Sequence, residues 1–67
     1  MRVSIVDSSD THQIRLFEFV DVNGRLITSF FQAVITPDRS IGVFDTIYDA
    51  RYAAEECVRY NFVPLLQ

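Results

Sequence analysis

The rhythm of apolar and polar positions changes along this chain, and the change divides it into a sheet-forming part and a helix-forming part. Residues 2–6, Arg-Val-Ser-Ile-Val, alternate and are β-prone, which predicts a short edge strand. Asp7-Ser8-Ser9-Asp10-Thr11-His12 is a run of polar turn formers and predicts a loop. Residues 14–22 and 25–36 are dense in β-branched and aromatic side chains. Asn23-Gly24 lies between them, and because both residues tolerate positive φ the pair predicts a two-residue type I′ hairpin. With Val22 facing Arg25, the register pairs Val20 with Ile27, Leu16 with Phe31 and Ile14 with Ala33 on one face. Only Glu18, Ser29 and Arg25 interrupt that apolar row, which is the expected core. A buried Glu18 needs a partner such as Ser29 or an arginine.

Pro37-Asp38-Arg39-Ser40 reads as a turn, with proline supplying the fixed φ of its corner, and Ile41–Phe44 as the strand that follows. Thr46-Ile47-Tyr48-Asp49 has the spacing of a helix cap, a hydroxyl followed three residues later by an acid. The helix is predicted from about Ile47 to Tyr60, with Ile47, Ala50, Ala54, Cys57 and Val58 on the face toward the sheet. Small residues dominate that stripe, so the helix approaches closely. Asn61 ends it, and Pro64 keeps the apolar tail Phe62–Gln67 from extending it. The expected fold is α+β: a three- or four-stranded antiparallel β-meander packed against one C-terminal helix, a single domain over residues 1–67.

Length and composition narrow the function classes. A domain of 67 residues buries only about 60% of the surface its unfolded chain exposes. With 49% hydrophobic residues the chain has enough apolar surface to fold. Its one Cys forbids an internal disulfide, and one Cys with one His makes no zinc set, so neither a metal nor a cofactor is expected. A partner remains as the source of further burial. The net charge of −3 argues against a phosphate-backbone ligand, and no segment is a basic arm. All six cations are arginine. No apolar run approaches the roughly 20 residues that cross a bilayer, and the N-terminal run is too short for a secretory signal, so a cytoplasmic protein without a membrane partner is expected.

Gly42-Val43-Phe44-Asp45-Thr46, followed by Asp49-Ala50 and Ala53-Ala54, resembles the strand-to-helix junction of AP2-type and integrase-arm-like domains. The match spans roughly a quarter of the chain. The resemblance implies a three-stranded antiparallel sheet on one helix. Those families place Arg and Trp on the exposed sheet face to meet DNA, whereas the corresponding face here carries Phe17, Phe19 and Phe30 with Arg15 as its only cation, and the chain has no Trp. The likeness therefore bears on fold, and nucleic acid is the disfavoured ligand.

Candidate chemistry is sparse. Cys57 and His12 are the only pair that begins a nucleophile-and-base argument, yet Cys57 falls on the small-residue helix face, where a buried thiol is inert. Asp7, Asp10 and His12 lack the ordered ligands and glycine of a calcium loop, and read as a solvated loop. No enzymatic activity is expected. The second sheet face says more, because one helix covers one face only. Phe17, Phe19, Leu26, Phe30 and Val34 are left without evident cover, and Tyr48 and Tyr52, one turn apart on the helix flank, are expected to extend the same contact surface. The alternative is that Phe62-Val63-Pro64-Leu65-Leu66 or the first strand folds over those rings. The reading that follows is a non-catalytic protein-interaction module, a small acidic accessory or inhibitor protein of bacterial or bacteriophage type, with a homodimer through the phenylalanine face as one form. Two rivals stand beside it. A DNA-binding module with an AP2-like sheet would gather Arg15, Arg25 and Arg39 on one surface. A nucleic-acid mimic would use Asp45, Asp49, Glu55 and Glu56.

Overall fold

Four strands and one helix follow one another along the chain in a computed structural model that describes residues 1–36 and 38–61. They are β1 (Arg2–Ser8), β2 (His12–Val20), β3 (Leu26–Ile35), β4 (Arg39–Phe44) and α1 (Ile47–Asn61). The sheet order is β1-β2-β3-β4 and every pair is antiparallel, so the chain is a four-stranded meander with its helix at the C-terminal end. The α+β expectation holds, with four strands. Pro37 and the expected tail cover from residues 62–66 lie outside the described residues.

The β2–β3 register agrees with the one read from the sequence over most of its length: Ile14 faces Ala33, Leu16 faces Phe31, Phe17 faces Phe30 and Phe19 faces Thr28. The turn is built differently. Only Gly24 has positive φ, at 82°, so the type I′ turn, which needs two such residues, is absent. Gly24 N–H donates to the Asp21 carbonyl at 3.0 Å, and Asp21 N–H donates to the Arg25 carbonyl at 2.9 Å. The loop thus holds three residues, Val22 to Gly24, closed by Asp21 and Arg25 rather than by Val22 and Arg25. The Asp21 carboxylate selects this form, because its Oδ1 accepts the N–H of Asn23 at 2.8 Å and of Arg25 at 2.9 Å. The extra loop residue is absorbed at once by a bulge, after which Val20 faces Leu26 instead of Ile27.

Two further bulges shape the sheet. In β1 the register slips between Ile5 and Asp7, so Val6 is the extra residue and Asp7 lies opposite Ile14 instead of Gln13. In β4 the slip falls beside Gly42, whose φ of 147° suits glycine alone. A Cβ on Gly42 would come within 3.3 Å of the Phe44 ring, which explains why the strand carries Gly there and an aromatic two residues on. β4 also starts two residues earlier than Ile41, at Arg39.

The helix lies on the face of Ile14, Ala33 and Ile35. Those three residues with Ala50 and Ala54 form the buried cluster, and Phe31, Ile41, Phe44, Ile47, Cys57 and Val58 pack around it. Ala50 and Ala54 are fully buried, as the stripe of small residues requires. Thr46 caps α1: its Oγ1 accepts the Asp49 N–H at 3.1 Å and its carbonyl accepts the Ala50 N–H at 3.2 Å. Fifteen helical residues span about 22 Å, whereas strands as long as β2 and β3 span about 30 Å, so the helix cannot cover the whole hairpin. The turn end is left uncovered, with Leu26 53%, Ile27 66% and Val22 100% exposed.

Candidate functional site

The face turned away from the helix is the candidate site. Alternation along β2 and β3 sends Phe17, Phe19 and Phe30 to that face, and the register brings them together. Phe17 and Phe30 stack with centroids 5.0 Å apart and planes 14° from parallel; Phe19 tilts against Phe30 at 5.9 Å. All three are half-buried, because they shield one another. Val3 lies opposite Phe17 and Ile5 opposite Arg15, so β1 adds two apolar side chains to the same face, and Val43 opposite Gln32 adds one from β4. These three are 49%, 58% and 59% exposed. The first strand therefore lies beside the rings and widens their face, and does not fold over them.

Four residues expected in this surface are placed elsewhere or are closed. Leu26 is drawn by the turn bulge into register with Val20, off the phenylalanine row. Val34 stays in the row but is only 4% exposed, so it offers no contact area. Tyr48 and Tyr52 are exposed on α1, but the helix packs on the opposite side of the sheet and the two tyrosines cannot be continuous with the rings. The residues that sequence reasoning missed are Val3, Ile5 and Val43. Their alternation was visible, but which neighbour each strand would pair with was not.

The polar part of this face is small and internally bonded. Arg15 Nε donates to Gln13 Oε1 at 3.0 Å, and Gln32 Nε2 donates to Ser40 Oγ at 3.1 Å. The gathering of Arg15, Arg25 and Arg39 does not occur. Arg15 is on the phenylalanine face, Arg25 is at the turn, and Arg39 is paired with Ile35 in the opposite row. The acidic helix flank is likewise interspersed with cations: Arg59 Nη1 reaches Glu56 Oε2 at 3.5 Å. Glu18, on the helix-side row, meets Arg2 at 3.7 Å, the arginine partner that a half-buried carboxylate needs.

A second cluster joins the strand ends to the helix, within residues 7–12 that were expected to be a solvated loop: Asp7 and Ser8 belong to β1, His12 opens β2 and is buried, and only residues 9–11 form the loop. The β1 bulge moves Asp7 into the helix-side row, where its Oδ2 accepts from Arg51 Nε at 3.1 Å and lies 3.5 Å from His12 Nε2. His12 Nδ1 is 3.2 Å from Ser9 Oγ. His12 Nε2 donates to the Asp7 carboxylate, and the Ser9 hydroxyl lies at the same 3.2 Å from His12 Nδ1 and from Thr11 Oγ1. Residue types of a serine–histidine–aspartate relay are thus adjacent, but Ser9 Oγ also accepts the backbone N–H of Thr11 and of His12, each at 3.2 Å. Its lone pairs are directed into the turn, and the geometry is that of a loop staple. Arg51, whose hydrogen bond is the largest effect, together with His12, holds the Asp7 carboxyl below its ordinary value of 3.8 against a partial desolvation. Asp10 takes no part in this cluster, and no group of three or more His, Cys, Asp or Glu that would hold a metal ion exists among the described residues. Cys57 is half-buried against the core.

Comparison with known proteins found no matching family model, no matching curated protein and no matching solved structure. Among the described residues no helix is long and apolar enough to cross a membrane.

Proposed function

We propose that this chain is a non-catalytic protein-interaction module whose contact surface is the sheet face of Phe17, Phe19 and Phe30, bordered by Val3, Ile5 and Val43. The observation that carries the reading is an aromatic trio, Phe17 stacked on Phe30 with Phe19 tilted against it, on the side of the sheet away from the helix. Rigid aromatic side chains with little polar competition nearby are the chemistry of a protein-binding patch. The partner surface is apolar at its centre, since Arg15 and Gln32 are already engaged with Gln13 and Ser40. A small acidic accessory or inhibitor protein of bacterial or bacteriophage type, working in the cytoplasm, is the class of molecule this size and composition fit.

The test compares three tagged chains purified from the cells that encode the protein: the wild type, Phe19→Ser/Phe30→Ser and Tyr48→Ser/Tyr52→Ser. A protein retained by the first and third and lost from the second is the expected result. Identical sets on all three chains would contradict the reading.

A further inference from the structure

Among the described residues β1 forms one border of the sheet and pairs with β2 alone, so none of them supplies a ladder partner for the backbone N–H and C=O groups on its other side. Edges of this kind are normally blunted by proline, lysine, an early bulge or very short length. Over Arg2–Ile5 none of these is present: the pairing with Glu18, Phe17, Leu16 and Arg15 is unbroken, and the bulge comes only at Val6. The opposite border is less open to addition, since β4 has its own bulge and Gly42 beside it.

We propose that a second copy of this chain adds to the β1 edge, antiparallel, about a two-fold axis normal to the sheet at Ser4. The occupant is argued from self-complementarity, which an isologous contact demands. An axis at Ser4 sets Val3 opposite Ile5 of the second copy, and Ile5 opposite its Val3. Both side chains lie on the phenylalanine face and are 49% and 58% exposed in the single chain. The same axis brings Arg2 beside the bulged Val6 of the second copy, and Arg2 and Asp7 keep their partners within each chain, Glu18 and Arg51, so the contact forces no like charges together. Moving the axis to Val3 shortens the ladder, and moving it to Ile5 runs the ladder into the bulge at Val6. Paired residues must share a face, so an axis between residues is excluded. The product is one eight-stranded sheet with both helices on one side and the two aromatic trios side by side on the other. This contact uses an edge, and it stands or falls independently of what the phenylalanine face binds.

A regular ladder of three residues from each copy, Val3 to Ile5, with Arg2 against the bulged Val6 at either end, is short, so the dimer is concentration-dependent, and cross-linking reads it more surely than mass alone. In a Cys57→Ala background, Ser4→Cys, Thr28→Cys and Val43→Cys are oxidised mildly at up to about 1 mM protein, with circular dichroism to confirm the fold. Ser4 is exposed, as are Thr28 on the phenylalanine face and Val43 on the β4 border. The expected result is a species of twice 7.7 kDa from Ser4→Cys and none from the other two. If Ser4→Cys does not fold, an equal mixture of Val3→Cys and Ile5→Cys chains reads the same register by cross-linking only between the two variants. Strict monomers throughout would overturn the proposal. So would faster cross-linking from Thr28→Cys, which would mean copies meeting face to face, or from Val43→Cys, which would move the contact to β4.

Discussion

Ile14→Ala tests the packing that seats the helix on the sheet. Among the described residues Ile14 is the only large side chain that is fully buried, and it sits among Ala33, Ile35, Ala50 and Ala54. Truncation removes three carbons, which costs about 2.4 kcal/mol of transfer free energy at roughly 0.8 kcal/mol per methylene. The alanine neighbours cannot reach into the space, so a cavity remains and raises the loss toward the upper part of the usual range of about 2–5 kcal/mol. A chain of this length has roughly 3–10 kcal/mol in total, so the variant is predicted to sit at the edge of unfolding. Each kcal/mol lowers the melting temperature of so small a domain by about 4–8 °C. Urea and thermal unfolding followed by circular dichroism measure the effect, with Ile27→Ala as the comparison, because Ile27 is 66% exposed and is predicted to change stability by less than about 1 kcal/mol. Equal losses for the two variants would refute the placement of the core at the Ile14 end of the hairpin.

The turn and the loop staple give two further expectations. Asn23→Ala is predicted to be nearly neutral, since Asn23 does not have positive φ, whereas Gly24→Ala and Asp21→Ala each cost about 1 kcal/mol through the strained φ of 82° and the lost acceptor for two N–H groups; urea midpoints rank the three, and a dominant Asn23 effect would restore the type I′ turn. Asp7 has a folded-state pKa below its unfolded one, so its contribution is present above the unfolded value of 3.8 and is lost as pH falls through the lower folded value. Asp7→Asn is therefore predicted to be less stable than wild type at neutral pH and to converge with it in strong acid, as denaturant midpoints across the acid range will show; a constant gap would contradict the Arg51 link.

Much of the fold was legible because it depends on patterns with a period. The two-residue period of residues 14–36 fixed which phenylalanines share a face, and the 3.6-residue period of the last third put Ala50, Ala54, Cys57 and Val58 against the sheet. The three bulges were not legible. Each inserts one residue, and only the one in β4 has a local sign, Gly42 inside the strand; yet each re-aims a side chain: Asp7 toward Arg51, Leu26 away from the phenylalanines, and Ile41 toward the core. The candidate site divides along the same line. The aromatic trio follows from alternation within one hairpin, whereas Val3, Ile5 and Val43 depend on pairing between separate strands. Tyr48 and Tyr52 were misplaced for a related reason, since a helical wheel gives a side chain's direction about its own axis and not which side of the sheet the helix takes.

A partner can reach the phenylalanine face only if that face is open to solvent in the single chain. Solvent paramagnetic relaxation of methyl resonances in dilute protein, with a soluble gadolinium chelate, measures this directly. Val3, Ile5 and Val43 are predicted to broaden nearly as fast as Val22 at the turn, while Ile14 and Ile35 remain sharp. Protection of Val3, Ile5 and Val43 equal to that of Ile14, in a chain shown to be monomeric, would mean that the protein covers this face itself, and the proposed contact surface would not exist.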